Sequence, residues 1–134
     1  FAYRNLQLSS QTISPGEALT VSVQVQNTGR RAGDEVVQLY VTDVAASVPV
    51  PIRELQGFKR VHLSPGETQT VTFNLAPRQF ALVDERGRRV IEPGEFQITV
   101  GGRQPRRGEA LSAAGPAEVL AASVRVVGAV TEIG

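Results

Sequence analysis

A period of two runs through this chain and leaves it little choice of fold. Leu19, Val21, Val23 and Val25 alternate with Thr20, Ser22, Gln24 and Gln26. Successive side chains of a strand point to opposite faces, so such a run is a strand with one face in a core and one in water. Val71, Phe73 and Leu75 alternate with Thr70, Thr72 and Asn74 in the same way, and Phe96, Ile98 and Val100 with Gln97 and Thr99. Leu6 and Leu8 alternate with Asn5, Gln7 and Ser9, and Leu120, Ala122, Val124 and Val126 with Ala121, Ser123 and Arg125. Valine (19), isoleucine (5) and threonine (9) together make 33 of 134 residues, a β-branched content that favours strands over helices. The Ala-rich stretch from Ala110 to Ala122 is broken by Gly115-Pro116, which denies it a helix. Several short strands with turns between them predict an all-β chain folded as an antiparallel β-sandwich.

One strand differs from the rest. From Glu35 to Thr42, Val37, Leu39 and Val41 form one face, but Val36, Gln38 and Tyr40 make the other face partly apolar. Either that second face is covered, or Val36 and Tyr40 are half-exposed, as single apolar residues on sheets commonly are. The turns are written in a repeated code. Ser14-Pro15-Gly16-Glu17 and Ser64-Pro65-Gly66-Glu67 each precede a strand, and Glu92-Pro93-Gly94-Glu95 precedes a third. Proline sets the first corner of a type II turn and glycine supplies the positive φ of the second, so all three are expected to be type II turns. Asn27-Thr28-Gly29 and Asp84-Glu85-Arg86-Gly87 read as two further turns. Residues 102–116 form the least patterned stretch, and loops of that length are usually functional or disordered.

Chemistry is scarce in this composition. Cysteine is absent, which excludes disulfides, thiolate zinc sites and thiol nucleophiles, and the single His62 excludes a multi-histidine metal site. The adjacent acids Asp34-Glu35 and Asp84-Glu85 cannot act as a glycosidase pair alone, because neighbours on a strand face opposite ways. His62 has no Gly-x-Ser-x-Gly elbow to serve, and no P-loop or dinucleotide fingerprint occurs. The Arg clusters Arg30-Arg31, Arg86/Arg88/Arg89 and Arg103/Arg106/Arg107 fall in turns or loops, as solvated charges or as salt bridges between domains. With a net charge of +1 they do not predict a nucleic-acid partner. No apolar run approaches the roughly 20 residues of a membrane-spanning helix, and no membrane partner is expected. Tryptophan is absent and the two tyrosines, Tyr3 and Tyr40, are scattered, so direct sugar binding is not expected. No catalytic, cofactor-binding or metal-binding residue is assigned, and no cofactor is expected. The absence of methionine predicts a processed chain or a piece of a longer one.

The run from Asn27-Thr28-Gly29-Arg30-Arg31-Ala32-Gly33 through Asp34-Glu35-Val36-Val37-Gln38-Leu39-Tyr40-Val41 resembles a known signature. It is that of the fibronectin type III-like domain at the C-terminus of family-3 glycoside hydrolases, β-glucosidases and β-xylosidases among them. The likeness continues through Arg53-Glu54-Leu55-Gln56-Gly57-Phe58-Lys59-Arg60-Val61, Leu63-Ser64-Pro65-Gly66-Glu67, Glu92-Pro93-Gly94-Glu95-Phe96 and Val100-Gly101-Gly102. The opening Phe1-Ala2-Tyr3-Arg4-Asn5-Leu6 resembles the family's first strand. It departs at Val50-Pro51, where members often carry Arg-Pro, and in residues 102–116, which exceed the usual link to the last strand.

The resemblance implies an immunoglobulin/fibronectin type III-like sandwich over residues 1–134, with a core at 1–101, a loop at 102–116 and a final strand at about 118–127. In such enzymes the nucleophile lies on a barrel domain and the acid/base on a following α/β sandwich. The C-terminal domain packs on both, so the implied partners are the catalytic domains of the parent glycosidase, and the implied role is to brace them. Gly57 then marks a bulge or a close backbone approach, and Phe58 a core anchor. Tyr40, Arg53, Glu54, Lys59 and Arg60 are the expected inter-domain contacts; the charges on this strand would equally keep an exposed sheet edge soluble. The alternative function is an independent interaction or carbohydrate-adhesion domain of the same fold, and a third is that residues 102–116 serve the parent enzyme's cleft.

Overall fold

A computed structural model describes residues 1–44, 53–106 and 108–133. The strands are β1 (Ala2–Leu8), β2 (Thr12–Ile13), β3 (Leu19–Gln26), β4 (Gly33–Asp43), β5 (Arg53–Leu63), β6 (Thr68–Leu75), β7 (Leu82–Val83), β8 (Arg89–Ile91), β9 (Gly94–Gly101), β10 (Val119–Val126) and β11 (Thr131–Glu132). A single 3-10 turn, Pro77–Phe80, is the only helical element among the described residues. The strands form a three-stranded sheet ordered β1-β3-β6, a five-stranded sheet ordered β2-β10-β9-β4-β5, and a small third sheet ordered β11-β8-β7. All pairings are antiparallel except β2 with β10, where Arg125 and Val126 lie beside Thr12 and Ile13 in parallel. The period-two runs pair along their length: Leu19 to Gln26 lie opposite Leu75 to Thr68, and Val119 to Val126 opposite Gly101 to Gly94.

The two larger sheets enclose one apolar core, as the alternation requires. Leu19, Val21, Val23, Val25, Val71, Phe73 and Leu75 come from the first sheet; Val37, Leu39, Val41, Val61, Leu63, Phe96, Ile98 and Val100 meet them from the second. Phe80 of the 3-10 turn packs edge-on against Phe96, with ring centroids 5.2 Å apart. In β1 the alternation is interrupted at Asn5, whose φ of +55° accompanies a register shift between Arg4 and Gln7. That shift lets both Tyr3 and Leu6 reach the core, although they stand three residues apart. Strands β2, β7, β8 and β11 are too short to show any period, which is why the sequence pattern does not reveal them.

Two of the three Pro-Gly turns form as expected. Gly16 and Gly66 have φ of +95° and +80°, and the amides of Glu17 and Glu67 donate to the carbonyls of Ser14 and Ser64 at 3.1 and 3.0 Å. In each, the glutamate carboxylate also accepts from the serine amide at 2.8 Å, which explains the shared Glu. The third block departs. Gly94 has φ of +145° rather than the +80° of a type II corner, and it already belongs to β9, opposite Val126.

Asn27 fastens the two crossings between the sheets, from β3 to β4 and from β5 to β6. It is buried, and its side-chain oxygen accepts from the Gly29 amide at 2.9 Å, shaping the β3–β4 turn. Its Nδ2 donates to the carbonyls of Arg31 at 2.8 Å and Leu63 at 3.0 Å. Its own amide donates to Glu67 O at 3.0 Å, and its carbonyl accepts from the Gly66 amide at 2.8 Å. One side chain therefore satisfies backbone groups of both connections, and the Leu63 carbonyl would otherwise be buried without this partner. Asn27→Ala should lower stability by about 2–4 kcal/mol, read as a fall in the urea midpoint with the m-value unchanged.

Candidate functional site: the outer face of β4 and β5

The pairing of β4 with β5 sets which side chains share a face. Asp34 lies opposite His62, Val36 opposite Arg60, Gln38 opposite Phe58 and Leu39 opposite Gly57; then Tyr40 lies opposite Leu55 and Thr42 opposite Arg53. Gln56 is the extra residue of a β-bulge, as the glycine beside it led one to expect. Gly57 is also a close approach. A Cβ placed there would come within 3.0 Å of the Phe73 ring, which reaches across from the other sheet.

Phe58 is not a core anchor. It is 67% exposed. Val61 and Leu63 are buried, so the odd-numbered residues of this end of β5 face inward and Phe58 faces out. Phe73 fills the inner space over Gly57 instead. Beyond the bulge the parity reverses, so Leu55 also turns outward and is 50% exposed. With Val36 at 41% exposure, these residues form an apolar strip along the outer face, bordered by Tyr40. The opposite outer face of the molecule is different: Thr20, Ser22, Gln24 and Gln26 lie beside Asn74, Thr72, Thr70 and Thr68.

The expected contact residues divide between two sides of β5. Tyr40, Arg53 and Arg60 share the outer face with the apolar strip. Arg53 Nε donates to Thr42 Oγ1 at 3.2 Å, and Tyr40 donates its hydroxyl to Gln38 Oε1 at 2.7 Å, with Gln38 Nε2 donating to Gly102 O at 3.1 Å. Glu54 and Lys59 point the other way. Glu54 borders an open polar groove with Gln56, Arg78, Gln79 and Arg89. Lys59 donates to Thr72 O and sits 5.4 Å from the centroid of Phe73, closing the gap between β5 and β6. Leu55 went unrecognised because only the bulge turns it outward. The Val50-Pro51 departure lies outside the described residues, as does Arg107.

The acids are spent on structure. Asp34 accepts from Arg60 Nε at 3.1 Å, and its other oxygen lies 2.6 Å from His62 Nδ1. Hydrogen bonds from His62 first, and then Arg60, hold its pKa below the usual carboxylate value. Glu35, its neighbour, faces the opposite side and accepts from the buried Tyr3 hydroxyl at 3.0 Å. Burial, then the charge and hydrogen bond of Glu35, push the Tyr3 phenol far above its ordinary value. Asp84 Oδ1 accepts from the amides of Arg86 and Arg88 at 3.0 and 2.9 Å and shapes the β7–β8 turn. No group of three or more His, Cys, Asp or Glu side chains that could hold a metal occurs among the described residues.

The stretch after β9 is fastened to the sandwich. Arg103 donates through both Nη atoms to Glu109, at 2.9 and 2.8 Å, and through Nε to Glu118 at 3.1 Å. The amides of Asn5 and Leu6 donate to Ala114 O and Ala113 O, at 3.1 and 2.9 Å, and Ala121 N donates to Ser112 O at 3.0 Å. This stretch therefore shields part of β1 and β10.

A family model described as "Fibronectin type III-like domain" matches residues 35–104, more than half of the chain. The chain belongs to the fibronectin type III-like domain family. This Fn3-like domain is 46% identical over 101 residues to a β-xylosidase of Formosa agariphila, covering 75% of the chain and 14% of that protein. It is 44% identical over 102 residues to thermostable β-glucosidase B of Acetivibrio thermocellus, again covering 75% of the chain and 14% of the relative. Among solved structures, a β-glucosidase from Erythrobacter marinus superposes with a TM-score of 0.79 at 38% identity, over 93% of this chain and 15% of that one. The GH3 β-glucosidase of Bifidobacterium adolescentis gives 0.74 at 28% identity, over 93% and 17%. The Fn3-like domain thus spans about one-seventh of the length of these relatives.

Two outcomes follow from the ion pairs and the buried phenol. The hydrogen bonds of Arg103, and then the Arg106 amide, bring the Glu109 pKa from an ordinary 4.5 down to about 2. A depressed folded-state pKa gives stability that is present above the ordinary value and lost as pH falls toward about 2. NMR titration of the Glu109 carboxyl should therefore show a midpoint near 2, returning toward 4.5 in Arg103→Ala. Tyr3→Phe should cost about 1–2 kcal/mol in urea unfolding, because it takes a hydrogen bond from a charged carboxylate.

Proposed function

We propose that this Fn3-like domain is a non-catalytic structural module of a β-glucosidase-type glycoside hydrolase, with residues 1–134 as one sandwich at the C-terminal end of the parent enzyme. Its task is to brace the catalytic domains, which hydrolyse β-linked glycosides. One observation carries the reading: the relatives are β-glucosidases and β-xylosidases, and the chain matches only about one-seventh of their length. A domain that recurs inside such enzymes and carries an apolar outer strip is suited to packing against the rest of them. Tyr40, Arg53 and Arg60 lie on that outer face and belong to the proposed contact. Glu54 and Lys59 turn to the other side of β5 and would join it only if the partner also wraps the sheet edge.

The 134-residue chain, assayed with aryl β-glucosides and aryl β-xylosides, should release no phenol above the buffer rate. Robust turnover would overturn the non-catalytic reading. The coding sequence upstream of Phe1 gives an independent check. A barrel followed by an α/β sandwich is expected; an unrelated enzyme or a surface-anchoring chain would count against the assignment.

A further inference from the structure

We propose that Phe58 is the anchor of the inter-domain contact, and that it seats in an apolar hollow on the rest of the parent polypeptide that sets a carboxylate opposite Arg53. This rests on the reading of the chain as a glycosidase module and names the partner chemistry of that surface. The first support is the contrast between the two outer faces. Thr20, Ser22, Gln24, Thr70, Thr72 and Asn74 show what a water-facing sheet of this domain carries. Val36, Leu55 and Phe58 carry the opposite, on a sheet of the same molecule under the same solvent.

The second support is that Phe58 joins no apolar cluster among the described residues. Its aromatic side chain is the most exposed of the large apolar side chains described, and Phe73 occupies the inner space beside it. Neighbouring pairs on one sheet face lie within about 5–8 Å, so Phe58 is flanked by Val36 on one side and by Leu55 with Tyr40 on the other. A large aromatic at the centre of a strip with charged ends has the form of an interface anchor.

The third support is charge. Arg53 and Arg60 stand at the two ends of the strip, and the one acid on this face of β4, Asp34, already bonds both Arg60 and His62. Among the described residues, Arg53 donates to a neutral hydroxyl, that of Thr42. The Arg60 end is thus a neutralised ion pair, the Arg53 end carries the cation, and its complement is a carboxylate facing Arg53. The occupant is the remainder of the same polypeptide because the matched relatives extend far beyond this domain, which spans 14% of them.

The test uses two proteins: the parent polypeptide that carries this chain, and the 134-residue chain. Amide exchange of β4 and β5 is compared between them, with and without Phe58→Ser. The expected result is at least tenfold slower exchange along Arg53–Arg60 in the parent, lost with Phe58→Ser and reduced with Arg53→Glu. The urea midpoint of the 134-residue chain should not fall with Phe58→Ser, and Glu54→Gln should leave the protection intact. Equal exchange in parent and isolated chain, or a Phe58→Ser effect of the same size in both, overturns the proposal. Concentration-dependent protection of the isolated chain would also overturn it, because the occupant would then be a second copy. Glycosidase activity of the parent is read separately. An inactive parent that still shows Phe58-dependent protection would fail the glycosidase reading and leave the anchor standing.

Discussion

The pairing of β5 with β4 decides what this molecule presents to the outside. Val61 and Leu63 enter the core, and that choice sends Arg60 and Phe58 to the outer face. Gln56, the extra residue of the bulge, then reverses the parity, so Leu55 joins Phe58 on the outer face while Glu54 takes the other side of β5, where it stays exposed at the sheet edge. A strand without the bulge would put Leu55 and Glu54 the other way round. The glycine beside the bulge also leaves room for the Phe73 ring, so the core stays filled although Phe58 is absent from it.

Around this strand the sandwich is held by polar groups placed where the chain changes sheet. Asn27 joins the β3–β4 and β5–β6 connections, and the twin Ser-Pro-Gly-Glu turns set the entry to β3 and β6. Lys59 bridges the sheet edges over Phe73, and a lysine there also discourages another chain from adding to β5. The outer strip is therefore carried on a strand tied by hydrogen bonds to β4 and, through Lys59, to β6. Asp34 and Glu35 illustrate the same economy. Adjacent in sequence, they serve opposite faces, one closing an ion pair with Arg60 and the other receiving the Tyr3 hydroxyl.

Much of this was legible in the residues. The five period-two runs became β1, β3, β6, β9 and β10, because alternation is a local property that any strand must obey. Two Pro-Gly turns were equally local, while Gly94 was drawn into β9 by its pairing with Val126. Tyr40, Arg53, Glu54, Lys59 and Arg60 could be named as a group but not sorted by face, since Arg53 and Arg60 share one only through the bulge between them; Phe58 was expected in the core, and Leu55 was not placed. A lone aromatic next to a glycine in a charged stretch fits either side of a strand, and only Val61, Leu63 and the bulge settle which. The Asn27 clasp was hidden for another reason, since its partner carbonyl on Leu63 is 36 residues away.

By itself the sequence determined that the chain is built from strands, which face of most of them is apolar, and where two of the main turns fall. These follow from side-chain alternation and from the φ preferences of proline and glycine, both written residue by residue. Tertiary structure alone decided that the Phe73 ring takes the inner place over Gly57, that Leu55 and Phe58 lie together outside, and that the stretch after β9 shields β1. Those outcomes depend on strand register and on packing between distant segments. A shift of one residue in register would exchange inside for outside without altering a single letter of the pattern.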